Sequence, residues 1–148
     1  NREALLYEVE QFYEKVLSKK TNAEVMKVFV SIKKTNKYRI ILLSATIDVV
    51  AEVIAKHLEC EEFYSTQLGY KNGVCTGWVE KDLLGKKYEI LKDLGITTML
   101  SSFYTDDMSD LPVLKLAKEK NIVIYPPYRK KWYRLNERWK WNTNFIEV

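Results

Sequence analysis

Cysteine is scarce in this 148-residue chain: there are two, Cys60 and Cys75. So few, at that spacing, make neither a disulfide framework nor a metal-ligand pattern. A reducing, cytoplasmic setting is the expectation. His57 is the only histidine; it falls on a helix-like segment away from the polar clusters below and is expected to pack or to face solvent. No apolar run approaches the roughly 20 residues of a membrane span. Neither a signal-peptide pattern nor an initiator Met is present. The chain opens "NREALLYEVEQ", already inside a helix-like pattern, so it is expected to be a piece of a longer chain. Charge of one sign is not in excess either: 24 basic and 20 acidic residues leave +4, too mild to call for nucleic acid. Repeats, linkers and low-complexity segments are absent. Aspartate is missing altogether from residues 1–37.

What the chain does have is apolar bulk. Hydrophobic residues make up 47% and aromatics 13%, enough for one domain with a substantial core. Residues 3–19 carry apolar side chains at three-to-four spacing and predict an amphipathic helix. Thr21-Asn22 predicts a cap for a second helix, "AEVMKVFVSIKK". The run Ile40–Leu43 predicts a buried parallel strand, and "IDVVAEVIAKHLE" a helix after it. Residues 61–80 predict a strand and a hairpin turning at Asn72-Gly73. "KKYEILKDLG" predicts a short helix opened by Gly85 and closed by Gly95. "SSFY" and "NIVIY" predict strands on either side of a helix over "DLPVLKLAKEK", with Pro112 in its first turn. A last basic, aromatic helix starts at the prolines of "PPYRKKWYRLNERWKW". Strands alternating with helices predict an α/β class with a mostly parallel sheet.

Ligands of parallel α/β folds bind beyond the carboxyl ends of strands, and three polar constellations fall there. Ser44-Ala45-Thr46 follows "RIILL"; a hydroxyl at that point either meets an anion at the next helix N-terminus or simply caps the helix. Lys86-Lys87 stands near a helix start, where a positive charge opposes the helix dipole; it either serves a phosphate or lies solvated. In "YTDDMSD", Asp106, Asp107 and Asp110 crowd together after a strand. Such a cluster either holds a hard cation or faces water, and Asp110 can also cap the following helix. Hydroxyl, lysine and paired acids together make a phosphate site with a metal.

The stretches "RIILLSAT", "GKKYEILK" and "FYTDDMSDLPVLKLA" resemble the second, third and fourth motifs of the haloacid dehalogenase superfamily, in its phosphoserine-phosphatase-like branch (subfamily IB). The resemblance runs from about residue 22 to about residue 141. It implies a Rossmann-like three-layer α/β/α core over residues 21–148, with residues 1–20 a remnant of a helical cap. It also implies that Ser44 binds the transferring phosphoryl group and that Lys87 holds nucleophile and phosphate in place. Lys87 is preferred to Lys86 because "KYEIL" fits the family pattern of lysine, one residue, an acid and aliphatics. By the same resemblance Asp106 is the principal Mg²⁺ ligand, and Asp110 ligates less directly or orients Lys87. Asp107 has no role in the pattern. The family's first motif, DxDx[TV], supplies the nucleophile, and no DxD precedes Ser44. The resemblance therefore places the nucleophile strand and most of the cap on a segment preceding Asn1.

The implied activity is Mg²⁺-dependent hydrolysis of a small phosphorylated metabolite through an aspartyl-phosphate, with these 148 residues inactive alone. The alternative is an inactive binding module of the same fold. The basic, aromatic helix at the end could also serve a single strand of nucleic acid or a membrane surface. Against that, Trp132, Leu135 and Trp139 are spaced to face a core, so neither partner is expected.

Overall fold

In the computed structural model, residues 1–98 and 100–148 are described. The chain divides into two compact units, Asn1–Lys86 and Lys87–Val148. In the first unit the order is α1 (Arg2–Lys15), α2 (Ala23–Thr35), β1 (Leu42–Ile47), α3 (Asp48–Leu58), β2 (Phe63–Lys71) and β3 (Val74–Lys81). The second unit holds α4 (Lys87–Asp93), β4 (Ser102–Thr105), α5 (Leu111–Leu114), β5 (Glu119–Ile124), α6 (Arg129–Trp139) and β6 (Thr143–Glu147). Short 3₁₀ turns lie at Leu17–Lys20, Met108–Asp110 and Pro126–Tyr128.

Each unit has its own three-stranded sheet, ordered β1-β2-β3 and β4-β5-β6. β1 pairs parallel with β2, and β2 antiparallel with β3. β4, β5 and β6 are all parallel. The expected mostly parallel α/β class is what forms. Among the described residues β1 and β4 each have a partner strand on one side only. β1 contains Ser44, and β4 leads into the acidic cluster.

In the first unit the core is built on α3, whose Val49, Ala51, Val53 and Ala55 are buried. The C-terminal carbonyl end of α3 is met by a cation: Lys33 Nζ donates to Leu58 O at 3.0 Å and to Glu59 Oε2 at 2.5 Å. α1 buries no residue. It lies on α3 through an Arg2–Glu52 ion pair and through His57. The His57 ring stacks on Tyr13 at 3.9 Å and bonds Glu10 at 2.5 Å. This is the packing role expected of the lone histidine. The β2–β3 turn is Asn72-Gly73, both at positive φ (51° and 74°), as a two-residue hairpin of this twist requires.

In the second unit Trp132 is buried with Leu114, Ile122 and Ile124, and Phe103, Leu111, Leu135 and Phe145 close around them. Trp139 lies under Lys115, whose Nζ sits 3.7 Å from the ring centroid, and meets Trp141 edge-on at 4.6 Å. The apolar face of α6 is thus used for packing. α4 ends in a Schellman arrangement at Gly95 (φ 68°), with Gly95 N donating to Lys92 O at 2.9 Å and Ile96 N to Leu91 O at 3.1 Å.

Three elements differ from expectation. β1 runs Leu42–Ile47 rather than Ile40–Leu43, because pairing starts where β2 supplies a partner, Leu42 opposite Phe63. The helix expected over residues 110–120 stops at Leu114; Glu119 and Lys120 are drawn into β5 opposite Ser102 and Phe103. β6 was not expected at all. It adds to β5 with Ile122 opposite Phe145.

Candidate active site

The acidic cluster begins where β4 ends. Thr105 is the last strand residue, and Asp106 follows it directly. Thr105 points inward and is 6% exposed. Its hydroxyl donates to Asp110 Oδ2 at 2.7 Å and accepts from Asp107 N at 3.0 Å. The chain thereby folds back into the Met108–Asp110 turn. Asp107 completes that turn, its Oδ1 accepting from Ser109 N at 2.8 Å. This is a structural task for a residue that had none.

Asp110 is 2% exposed. Its side chain does not cap α5, one of the two uses open to it in the sequence. Oδ2 instead accepts from Lys87 Nζ at 2.6 Å as well as from Thr105. Oδ1 has no partner among the described residues. A buried carboxylate with one engaged and one orphaned oxygen is costly unless a further donor or a cation reaches it. Lys87 opens α4, and its side chain is 14% exposed. Lys86, the other candidate, is exposed. Of the two lysines only Lys87 reaches the acids.

Asp106 is exposed, and its carboxylate takes no hydrogen bond among the described residues. No group of three or more His, Cys, Asp or Glu side chains there converges as a metal cage. The oxygens left available, those of Asp106 and Oδ1 of Asp110, are hard donors. They suit Mg²⁺, which takes one or two carboxylates and completes its shell with water and phosphate. The donor set fits that ion in chemistry and is partial in number.

An open depression of about 340 Å³ adjoins the cluster, lined by Asp106, Asp107, Met108, Tyr128 and Lys131. Neither Thr105 nor the Tyr128 and Lys131 wall was singled out from the sequence. The hydroxyl immediately before the paired acids was the available signal for Thr105.

Ser44 belongs to the first unit. It lies within β1 rather than beyond it, half-buried, where the β1–β2 register breaks between Leu43 and Ile47. Neither Ser44 nor Thr46 caps α3, whose N-cap position is Ile47 with no side-chain bond. Ser44 Oγ accepts from Thr46 N at 3.2 Å, and its hydroxyl proton has no acceptor among the described residues. The structure thus brings Lys87 and Asp110 together, sets Asp106 beside them in sequence, and holds Ser44 in the other unit.

Known proteins resemble this fold. A protein of unknown function from Bordetella pertussis Tohama I superposes with a TM-score of 0.76 at 20% identity, over 97% of this chain and 66% of that one. A phosphoserine phosphatase solved as a phospho-aspartyl intermediate analogue gives 0.57 at 23% identity, over 82% of this chain and 56% of that one. A substrate-bound phosphoserine phosphatase gives 0.57 at 22%, over 76% and 60%. The chain therefore spans less than two thirds of these proteins. At such identities the likeness shows a Rossmann-type fold of this kind and nothing further. No curated protein matches the chain. The haloacid dehalogenase-like hydrolase family matches residues 2–115, a span that takes in β1, α4, β4 and the whole acidic turn. By that match the chain belongs to the haloacid dehalogenase-like hydrolases.

Proposed function

We propose that this chain is the greater part of a Mg²⁺-dependent phosphomonoesterase of the phosphoserine-phosphatase-like branch. The observation that supports this most is the Lys87–Asp110–Thr105 network beside an unengaged Asp106. It sets a fixed positive charge next to free carboxylate oxygens, which is what phosphoryl transfer asks of a protein.

In this reading Lys87 neutralises charge on the phosphoryl oxygens. Asp110 and Thr105 act as positioning residues that hold the ammonium group in one place. Ser44 donates its hydroxyl proton to a phosphoryl oxygen. Asp106 and Oδ1 of Asp110 are the donors this chain contributes to Mg²⁺, which when bound supplies further positive charge to the phosphoryl group. The nucleophilic Asp and the acid–base Asp lie on a segment preceding Asn1. The first attacks phosphorus, and the second protonates the leaving oxygen and then activates water. Residues 1–20 are then the tail of a helical cap, residues 21–148 the core, and the setting cytoplasmic. The substrate is a small phosphorylated metabolite.

Hydrolysis of p-nitrophenyl phosphate by the protein with its preceding segment, with and without Mg²⁺, tests the proposal. Activity only with Mg²⁺ supports it. Phosphate binding with no turnover would favour a binding module of the same fold.

A further inference from the structure

The depression beside the acidic cluster holds two unspent charges of opposite sign. Five residues line it: Asp106, Asp107, Met108, Tyr128 and Lys131. Asp107 is committed to the turn through Ser109 N. Asp106 is not committed. Lys131, from the first turn of α6, is exposed and is the only cation of the five. It shares the depression with two carboxylates, yet it enters no ion pair among the described residues. Its neighbour Arg129, by contrast, is paired with Glu147. Met108 and Tyr128 line the same depression; Tyr128 is 55% exposed, and its hydroxyl takes no hydrogen bond among the described residues.

We infer that Lys131 and Tyr128 form a leaving-group subsite that selects phosphomonoesters carrying a second anionic group, a carboxylate or another phosphate. The inference rests on the phosphatase reading of Asp106 and Lys87. The reacting phosphoryl group already has Lys87 as its fixed positive charge, so Lys131, from a different element, is available to the rest of the substrate. An ammonium with no protein partner keeps its full charge for a ligand. Met108 and the face of Tyr128 supply an apolar wall for the few carbons between the two anionic ends. A volume of about 340 Å³ is at the low end for ligand sites, which suits a compact metabolite rather than a polymer. In this role the subsite acts on specificity, through the leaving group.

The test compares three esters on the protein with its preceding segment: glycerol 1-phosphate, with an uncharged leaving group; 2-phosphoglycolate, with a carboxylate; and 1,3-propanediol bisphosphate, with a second phosphate. The wild type is expected to prefer one or both anionic esters in kcat/KM, and the preferred one identifies which anion is read. Lys131→Ala should lower the ratio of anionic to uncharged kcat/KM about fivefold or more through KM, Lys131→Glu should lower it further, and Lys131→Arg should restore it. An unchanged ratio overturns the inference, and so does an equal loss on all three esters, because Lys131 would then serve the common phosphoryl group. If the wild type turns over none of them, the phosphatase reading fails separately. Calorimetric binding of 2-phosphoglycolate against methyl phosphate then decides the subsite: loss of the preference in Lys131→Ala upholds it, and an unaltered preference overturns it.

Discussion

Lys87 Nζ lies 2.6 Å from Asp110 Oδ2, with the lysine side chain 14% exposed and the aspartate 2%. The two residues come from different elements, and the pair ties the start of α4 to the turn after β4. Removing one partner from a pair this buried leaves an uncompensated charge, at a cost of about 3–5 kcal/mol. Lys87→Met should therefore destabilise the second unit severely. Adding Asp110→Asn should recover part of the loss, since the stranded charge goes with it. Urea titration of the two single variants and the double variant measures this. Strict additivity would show that the pair is not coupled.

Asp106 has no such task. It is exposed and takes no hydrogen bond among the described residues, so Asp106→Asn should leave the unfolding free energy unchanged within about 0.5 kcal/mol. On the proposed reading phosphatase activity should nonetheless fall by about 10² or more, since Asp106 would there be a charged metal donor. A variant that loses stability and activity together would make Asp106 a structural residue.

Trp132, 1% exposed, sits among Leu114, Ile122 and Ile124. Trp132→Ala should cost about 3–5 kcal/mol. Lys130→Ala, on the exposed side of the same helix, should cost almost nothing. Thermal melts of the two variants compare a packing helix with a purely charged one. Equal effects would contradict the packing of α6 described above.

Stability should also decline on the acid side. The Arg39 guanidinium grips Glu62 through two bonds of 2.6 and 2.7 Å and holds its carboxyl below the usual range. A bond from His57 does the same for Glu10, and Lys33 does so for Glu59. A carboxyl lowered in the folded state binds protons more readily when unfolded. Its contribution is whole above the usual glutamate value of about 4.3 and disappears as pH falls through the folded value. Wild type should exceed Glu62→Gln in denaturation midpoint at pH 6, and the gap should close as pH drops below the carboxylate range. A gap that persists undiminished in acid would mean that Glu62 acts through packing.

The acidic cluster, the lysine and the hairpin were legible in the chain because each depends on local chemistry. Asn72-Gly73 needs no partner to favour its turn, and Asp106 follows a strand end whatever lies around it. What stayed hidden depends on distant residues. Leu111–Leu114 begins a helix that its sequence could continue, but pairing with Ser102 and Phe103 claims Glu119 and Lys120 for β5. β6 is a strand only because β5 offers it an edge. Likewise, nothing in "PPYRKKW" reveals that Tyr128 and Lys131 face the depression beside Asp106. The Lys87–Asp110 pairing likewise joins residues 23 positions apart, which local sequence does not bring together.

The central claim is that Lys87 and the Asp106–Asp110 pair serve Mg²⁺-dependent phosphoryl transfer with a nucleophile carried on a preceding segment. The most direct measurement is p-nitrophenyl phosphate hydrolysis by the 148 residues alone and by the protein with that segment, each with Mg²⁺ and with EDTA. Turnover is predicted only for the longer protein with Mg²⁺, and it should fall by about 10²–10³ in Lys87→Ala. Turnover by the 148 residues alone, or turnover by the longer protein that survives EDTA, would contradict the account.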